Sequence, residues 1–597
     1  MQIVPFLYFV KKRPMRYALL TLLFVANSIL AQEPYLSNET YTYDEVIAQY
    51  QALAAKYPDQ AKIIQFGKSD YGKNIPLFLL SKEGSFKPNQ FEDKVVIFIN
   101  NGIHPGEPCG VDACVNLSKK LLKDPELLPE NVVIGLIPLY NVGGAHNRTC
   151  CSRANQNGPA EYGFRGNAKN LDLNRDFIKS DSKNTFTFYR IFHYLNPHIF
   201  IDTHTSDGAD YQHTMTLITS QLDKMQEDLR SFVKDTMNPA IFSEMLKAEN
   251  PMVPYVHQMG KTPEEGIFDY LETPRYSTGY TNLFNCISYV SEAHMLKSFK
   301  ERVEATQLLL EIMIAFAEKH QHQLKALKKR ADLKTGKQQS FELNWQLDTT
   351  QYDEIPFMGY EAEFTTSSIT GEKKLTYNHD KPWKKKIRYY NTFTCTDSVI
   401  APNYYILPKA WNTVAFRLQK SGVQVERLTK DTSLNVAVYY IDDYTTTDRP
   451  YEGHYLHKKI TVTNETKTIN YQRGDYVINV NCPQARMIVE SLEPQAPDSY
   501  FAWNFFDAIL QQKEWFSAYV FEEKAEKMLA EDSALKKEFE LKKKNDADFA
   551  ADPFMQLYFL YKRSDNYERT ANLYPVGRLF DQLNQDDLDP APLILGF

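Results

Sequence analysis

The sequence predicts an α/β protein with a mixed central β-sheet flanked by helices, followed by a β-rich domain and a C-terminal helical segment. Between residues 41 and 327, β-like apolar runs alternate with helical patterns, as where the run Val95–Ile99 precedes a helical pattern over Glu107–Leu122. Such alternation is typical of a largely buried sheet covered by helices. Between 341 and 489 short alternating strands replace the helices, and after 491 helical periodicity returns.

The first domain is assigned to residues 32–330, and its elements follow one another in order. The strands are predicted from short β-branched and aromatic runs, and the helices from apolar residues repeating every three to four positions. The predicted strands are 63–66, 75–80, 95–99, 132–137, 198–201 and 286–290, and the predicted helices are 43–57, 107–122, 182–195, 221–246 and 297–328.

Two further regions complete the chain after a polar stretch, 329–339, which lacks hydrophobic periodicity and predicts a linker. Residues 340–490 are predicted to form a β-rich accessory domain with one helix near 410–421. Residues 491–597 are predicted to be a helical region with helices at 501–515, 518–544 and 554–563.

Residues 1–31 are predicted to be a signal peptide. Basic residues at 11–16 precede an apolar stretch that starts at Tyr17 and fades by Ala31, with small residues near its end. That stretch has about 15 residues, fewer than the roughly 20 that a membrane-spanning helix needs. We therefore expect a secreted or periplasmic protein with no membrane span after cleavage, although a membrane anchor is the alternative. The start codon, Met1 or Met15, stays open.

The composition excludes several classes of protein. The chain has 597 residues, of which 43% are hydrophobic and 13% aromatic, so it has ample core-forming side chains and is not a disordered chain. Its 68 Lys and Arg against 75 Asp and Glu give a net charge of −7, which does not predict nucleic-acid binding. The seven cysteines show no C-x-x-C spacing, which disfavours a cysteine zinc site. Cys150 and Cys151 lie near Arg153, which suggests redox control. We favour instead that these cysteines are buried or form disulfides elsewhere.

A metal centre is predicted where two strands end. His104 and Glu107 follow the run Val95–Asn100, at a turn that opens a helix, and His204 ends the run His198–Thr203. The carboxyl ends of strands gather ligands at one edge of an α/β sheet. Imidazole and carboxylate groups are the usual ligands of a catalytic zinc ion, so we expect one Zn²⁺ here. In the alternative, His204 is a strand-end histidine that pairs with Asp202 or Asp207.

Other polar motifs accompany these ligands in a fixed order. Arg153-Ala154-Asn155 and then Asn170 to Phe177 lie between Glu107 and His204, and Pro274 to Tyr280 and then Ser291-Glu292-Ala293-His294 come after His204. Over about residues 40–325 this order resembles the zinc carboxypeptidases of the carboxypeptidase A type, the metallocarboxypeptidase family. The resemblance implies a carboxypeptidase-like catalytic domain and does not extend to the C-terminal regions.

The resemblance also implies roles for individual residues. His104, Glu107 and His204 would be the zinc ligands, and Asp172 would orient His104 by accepting its second N–H. Glu292 would be the general base.

At the substrate, the resemblance implies that Arg153 stabilises the oxyanion, and that Asn174 and Arg175 grip the terminal carboxylate. Tyr276 is the candidate for the tyrosine that covers the substrate, with Tyr280 and Tyr270 as alternatives.

The function expected from the resemblance is a secreted zinc-dependent metallocarboxypeptidase that hydrolyses the C-terminal peptide bond of peptides or proteins. Two departures from the family pattern are the segment Asn141–Gly144 and an inserted loop, Gln156–Lys169. One alternative is a zinc deacylase of the aspartoacylase type or a cell-wall peptide amidase. A second alternative, from a different class, is a catalytically dead protein that binds peptides or glycans.

Overall fold

The computed structural model describes residues 33–590. The predicted signal peptide therefore lies outside the described residues. Among the described helices, none combines the length and the apolar character that crossing a membrane requires.

Strands and helices alternate from residue 43 to residue 335, as predicted. The helices are α1 (Tyr43–Lys56), α2 (Cys109–Lys123), α3 (Val142–His146), α4 (Lys183–Leu195), α5 (Glu227–Phe232), α6 (Asn238–Lys247), α7 (Ser277–Asn282), α8 (Phe299–Lys319) and α9 (Gln321–Thr335). The strands are β1 (Ala61–Lys68), β2 (Asn74–Leu80), β3 (Val95–Asn101), β4 (Val132–Ile137), β5 (Ile199–Ser206), β6 (Met215–Thr219), β7 (Val253–Pro254), β8 (His257–Gln258), β9 (Ile267–Phe268) and β10 (Ile287–His294).

The central sheet of the described chain is mixed and has the strand order β1-β2-β4-β3-β5-β10-β6-β7. Strands β4, β3, β5 and β10 run parallel to one another, while β1 and β2 pair antiparallel with their neighbours. Strand β6 pairs antiparallel with β10 and parallel with β7. Every residue of β3, β4 and β5 is buried, which is the pattern of strands covered on both faces. This architecture confirms the predicted fold class.

The register of the parallel strands places their polar ends side by side. Asn101 of β3 lies opposite Thr203 of β5, and His204 of β5 lies opposite Glu292 of β10. The carboxyl ends of β3, β5 and β10 therefore meet at one edge of the sheet, where the predicted site residues are located.

The second half of the described chain is rich in β-structure. Its strands are β11 (Ser340–Leu347), β12 (Asp353–Thr366), β13 (Lys373–Tyr390), β14 (Phe393–Ile400), β15 (Tyr404–Leu407), β16 (Glu426–Leu428), β17 (Thr432–Thr446), β18 (His457–Tyr471), β19 (Tyr476–Asn479), β20 (Gly577–Leu579) and β21 (Leu588–Pro590). Its helices are α10 (Asn412–Lys420), α11 (Ala485–Leu492), α12 (Ala518–Glu531), α13 (Ser533–Asn545), α14 (Ala547–Ala551) and α15 (Pro553–Tyr561). Two long antiparallel hairpins, β12–β13 and β17–β18, dominate this half.

The two halves share one hydrophobic core. Buried apolar side chains from Tyr41 to Val576 form a continuous cluster. Strand β13 pairs with β9 of the first half, and Arg275 forms a 2.7 Å ion pair with Asp498. The predicted domain borders at 330, 340 and 490 stay predictions, but the packing across them is extensive.

Several predicted elements were wrong in detail. Most of the predicted linker 329–339 is the last part of α9, because Ala331 and Thr335 are buried against the fold. The predicted helix over 501–515 is a series of turns with a short 3-10 segment at Asp507–Leu510. The predicted helix over 221–246 is interrupted by a π-helical turn, Val233–Met237.

The shared core predicts which tryptophan matters for stability. Trp503 is 0% exposed and Trp515 is 57% exposed. We expect Trp503→Ala to lower the free energy of unfolding by about 3–5 kcal/mol, because it leaves a cavity in the core. The control Trp515→Ala should change it by less than about 0.5 kcal/mol. Denaturant unfolding followed by circular dichroism measures both, and equal effects would contradict the shared core.

Candidate metal centre

Three predicted ligands converge at the edge of the sheet. His104 and Glu107 lie in the turn between β3 and α2, and His204 lies near the end of β5. One ligand atom from each lies within 4.8 Å of the other two. Glu107 Oε2 is 2.9 Å from His204 Nδ1, and Glu107 Oε1 is 3.2 Å from His104 Nδ1. Two imidazole nitrogens and one carboxylate form a donor set that fits catalytic zinc.

The electrostatics of Glu107 also suit a cation. The three ligand side chains are buried, and burial by itself would raise the pKa of Glu107. Arg153 and the two imidazoles nevertheless hold that pKa well below its ordinary value. Glu107 is therefore a carboxylate at neutral pH, the form in which it can bind a metal.

The predicted partner of His104 is in place. His104 Nε2 lies 3.0 Å from Asp172 Oδ1, on the side of the ring away from Glu107. Asp172 caps the 3-10 turn Leu173–Arg175 and accepts the N–H of Asn174. A carboxylate that binds the second ring nitrogen fixes both the tautomer and the orientation of a ligand histidine.

His204 also has a carboxylate beside its second ring nitrogen, one that sequence reasoning assigned differently. His204 Nε2 lies 3.3 Å from Asp202 Oδ2, while its Nδ1 faces Glu107. Asp202 is fully buried and accepts hydrogen bonds from Asn100 and Ser277. Contact with Asp202 and participation in the ligand cluster therefore occur together, whereas the sequence analysis treated them as alternatives. The signal was the D-x-H spacing, because residues two apart on a strand share a face.

Glu292 stands next to the ligand cluster. It is opposite His204 in the register of β5 and β10 and lines the same cavity. Its Oε2 atom is buried and has no hydrogen-bond partner among the described residues. Burial raises the pKa of Glu292 to about 8. The side chain is thus a carboxyl group with an unpartnered oxygen beside the predicted metal ligands.

Three arginines, Arg153, Arg165 and Arg175, reach the cavity, one more than predicted. Arg153 Nη1 donates to Glu107 Oε1 at 2.8 Å. Arg165, which sequence reasoning missed, donates through Nε to Asp172 Oδ2 at 2.9 Å and lies 3.4 Å from His104 Nδ1. It belongs to the loop that was interpreted as an insertion. Its closeness to Asp172 in the sequence was the only available signal.

A disulfide between adjacent residues precedes Arg153. Cys150 and Cys151 are exposed and bonded to each other, so the prediction that they are buried or form disulfides elsewhere was wrong. Redox control stays a hypothesis. Two residues later, the backbone N–H of Arg153 donates to the hydroxyl of Tyr162.

The predicted substrate residues line the same cavity, which has a volume of about 260 Å³. The Arg175 guanidinium lies 4.4 Å from the centre of the Tyr276 ring, and Tyr270 packs against Tyr276 at 5.4 Å. Tyr280 is fully buried, stacks on Tyr189 and does not line the cavity. The structure therefore places Tyr276 and Tyr270 at the site, and Tyr280 away from it.

The full lining shows the chemical character of the cavity. Charged and hydroxyl groups surround the metal ligands, with a few apolar side chains beside them. The lining residues are His104, Glu107, Arg153, Arg165, Asn174, Arg175, His204, Thr205, Ser206, Asp207, Ile218, Tyr255, Tyr270, Tyr276, Ser277, Thr278, Val290 and Glu292.

Known proteins are similar to this chain. The model of the zinc carboxypeptidase family matches residues 46–218. Carboxypeptidase 2 of Trichophyton tonsurans is 22% identical over 457 residues, which cover 72% of this chain and 78% of that protein. Carboxypeptidase B of Astacus astacus is 31% identical over 142 residues, 23% of this chain and 44% of that protein.

Among solved structures, a metallo-carboxypeptidase from Burkholderia cenocepacia matches with a TM-score of 0.37 and 17% identity, over 47% of this chain and 70% of that one. Carboxypeptidase A from Helicoverpa armigera matches with a TM-score of 0.35 and 15% identity, over 49% of this chain and 75% of that one. The family match and the curated relatives show that this chain contains a zinc carboxypeptidase domain, matched over residues 46–218.

Proposed function

We propose that this protein removes C-terminal amino acids from peptides, using one zinc ion held by His104, Glu107 and His204. The observation that carries the proposal is the convergence of these three ligand atoms within 4.8 Å, beside the unpartnered carboxyl group of Glu292. A catalytically dead binding protein would have no need of both features. The natural substrates would be peptides or protein C-termini with a free α-carboxylate.

Glu292 acts as the general base in this proposal. His104, Glu107 and His204 would hold a zinc ion that would polarise the scissile carbonyl and lower the pKa of a bound water to about 7. Glu292 takes a proton from the attacking water and returns it to the leaving amine. A carboxyl group whose pKa is raised toward neutrality suits both transfers, because it can bind and release a proton at the working pH.

The arginines are proposed to bind the negatively charged groups of the reacting substrate. Arg153 is proposed to donate to the oxyanion that develops on the carbonyl, and Arg165 lies near enough to share that role. Asn174 and Arg175 bind the terminal carboxylate of the substrate, because a guanidinium fork matches the planar anion. Tyr276, which packs over Arg175, covers the bound residue.

Secretion is also part of the proposal. It rests on the basic and then apolar pattern of residues 1–31. The bond between Cys150 and Cys151 supports it, because disulfides persist in oxidising compartments.

Loss of the base should separate catalysis from metal binding. We expect Glu292→Gln to lower kcat by at least about 1,000-fold on N-blocked dipeptides while zinc content stays at one ion per chain. Chelation should inactivate the wild-type protein, and added zinc should restore it. Metal analysis and amino-acid release measure these effects. A fully active Glu292→Gln variant would refute the assignment of the base.

Arg175 should determine the requirement for a free carboxylate. We expect Arg175→Ala to reduce kcat/KM about 100-fold on a peptide with a free C-terminus, because a charge-assisted contact is lost. Cleavage of the matching C-terminal amide should be slow in both forms. The exposed Arg190 provides the matched control, Arg190→Ala. Good cleavage of internal acyl bonds by the wild type would instead favour the deacylase or amidase alternative.

Loss of the Arg153 side chain should mainly lower kcat. We expect Arg153→Ala to lower kcat by about 100-fold to 1,000-fold with a smaller change in KM, because an oxyanion donor is lost. Arg148→Ala is the control, since that side chain donates to backbone carbonyls of Thr40, Tyr41 and Glu161. Steady-state kinetics of Arg165→Ala measure the share of the second arginine. An unchanged kcat in Arg153→Ala would assign the role to Arg165.

A further inference from the structure

A loop from the second half of the chain reaches the proposed active site. This loop, residues 447–456, joins β17 to β18 and is called the 447–456 loop below. Arg175 Nε donates to the Tyr451 hydroxyl at 3.0 Å, and the backbone N–H of Asp172 donates to Glu452 Oε2 at 2.7 Å. The loop thus contacts both the residue proposed to bind the substrate carboxylate and the residue that orients His104.

The 447–456 loop is fixed in position by contacts with both halves of the chain. Tyr451 and His454 exchange two backbone hydrogen bonds across the turn. The His454 ring lies 2.7 Å from Asp181 and 2.6 Å from Asn504. Tyr451 stacks on the buried Trp503, with ring centres 6.0 Å apart. A loop anchored in this way can hold its two contacts in fixed geometry.

Glu452 makes its contact from an unusual backbone conformation. Its φ angle is +51°, in the left-handed region that residues other than glycine, asparagine and aspartate seldom adopt. Such conformations persist where the surrounding structure enforces them, often at functional sites. Here the conformation accompanies the contact between the Glu452 carboxylate and the segment that carries Asp172.

The contacts of Arg175 leave one part of the guanidinium for a ligand. Nε donates to Tyr451, Nη1 donates to the carbonyl oxygen of Asn174 at 2.8 Å, and the Tyr276 ring covers one face. Among the described residues, Nη2 makes no hydrogen bond. The hydroxyl of Tyr451 therefore restricts rotation of the guanidinium and sets the direction in which Nη2 points.

From these contacts we propose that Tyr451 and Glu452 are positioning residues of the active site, supplied by the β-rich half of the chain. Tyr451 orients Arg175 toward the terminal carboxylate of the substrate, and Glu452 holds Asp172 where it can support His104. The inference rests on the proposed carboxypeptidase function. It makes the β17–β18 hairpin a component of the substrate site.

The Tyr451 contact is tested in the full-length protein with Tyr451→Phe, which keeps the ring on Trp503 and removes the hydroxyl acceptor. We expect KM for an N-blocked dipeptide with a free carboxylate to rise about 10-fold while kcat changes less than twofold. Tyr455→Phe is the matched control, because Tyr455 is in the same loop and 47% exposed. An unchanged KM, or an equal loss in Tyr455→Phe, would overturn the role of Tyr451.

The Glu452 contact is tested without using activity. Glu452→Ala removes the acceptor for the Asp172 N–H, and Glu452→Gln keeps an oxygen at that position. We expect Glu452→Ala to lose zinc to a chromogenic chelator about 10-fold more readily than the wild type, and Glu452→Gln to retain it. Equal zinc retention in Glu452→Ala and the wild type would overturn the role of Glu452.

The two proposals fail in different ways. If the wild type retains zinc but releases no amino acid from any free-carboxylate peptide, the proposed function fails, and the zinc measurement on Glu452→Ala still tests the loop. If the wild type is active and neither Tyr451→Phe nor Glu452→Ala differs from it, the loop has no positioning role while the proposed function stands.

Discussion

The site depends on the in-register parallel pairing of three strands. Pairing of β3 with β5 and of β5 with β10 brings the turn after β3 next to His204 and sets Glu292 directly opposite it. Side chains alternate between the faces of a strand, so a slip of one residue between β5 and β10 would turn Glu292 away from the ligands. The apolar residues that fix this register, such as Ile199 and Ile201, are fully buried.

The same register concentrates negative charge. Glu107, Asp172, Asp202 and Glu292 gather within or behind one cavity, and burying carboxylates is costly unless each is paired. Arginine donors and imidazoles satisfy Glu107 and Asp172, and Asn100 and Ser277 donate to Asp202. Glu292 Oε2 has no partner among the described residues. A divalent cation would offset the charge of Glu107 and create the positive field in which Glu292 can ionise. The arrangement is thus consistent with metal binding on electrostatic grounds as well as on geometry.

The sequence predicts this site best where the signal is local. The turn from His104 to Glu107, the strand that ends in His204, and Asp172 were predictable because motif and strand pattern coincide within a few residues. Arg165 and Tyr451 were not, because their importance comes from contacts between segments that no periodicity connects. The errors in secondary structure have the same origin. The polar end of α9 is helical because tertiary packing buries it, and the aromatic segment 501–515 folds as turns around buried Trp503.

Ion pairs join the two halves of the described chain. Asp181, in the first half, pairs with Lys179 beside it and with Arg417 and His454 from the second half. Arg275 similarly depends on Asp498. Removal of one partner from a buried pair leaves an uncompensated charge, which is strongly destabilising. The β-rich half therefore supplies charge compensation near the residues proposed to bind the substrate, so the two halves should fold and function as one unit.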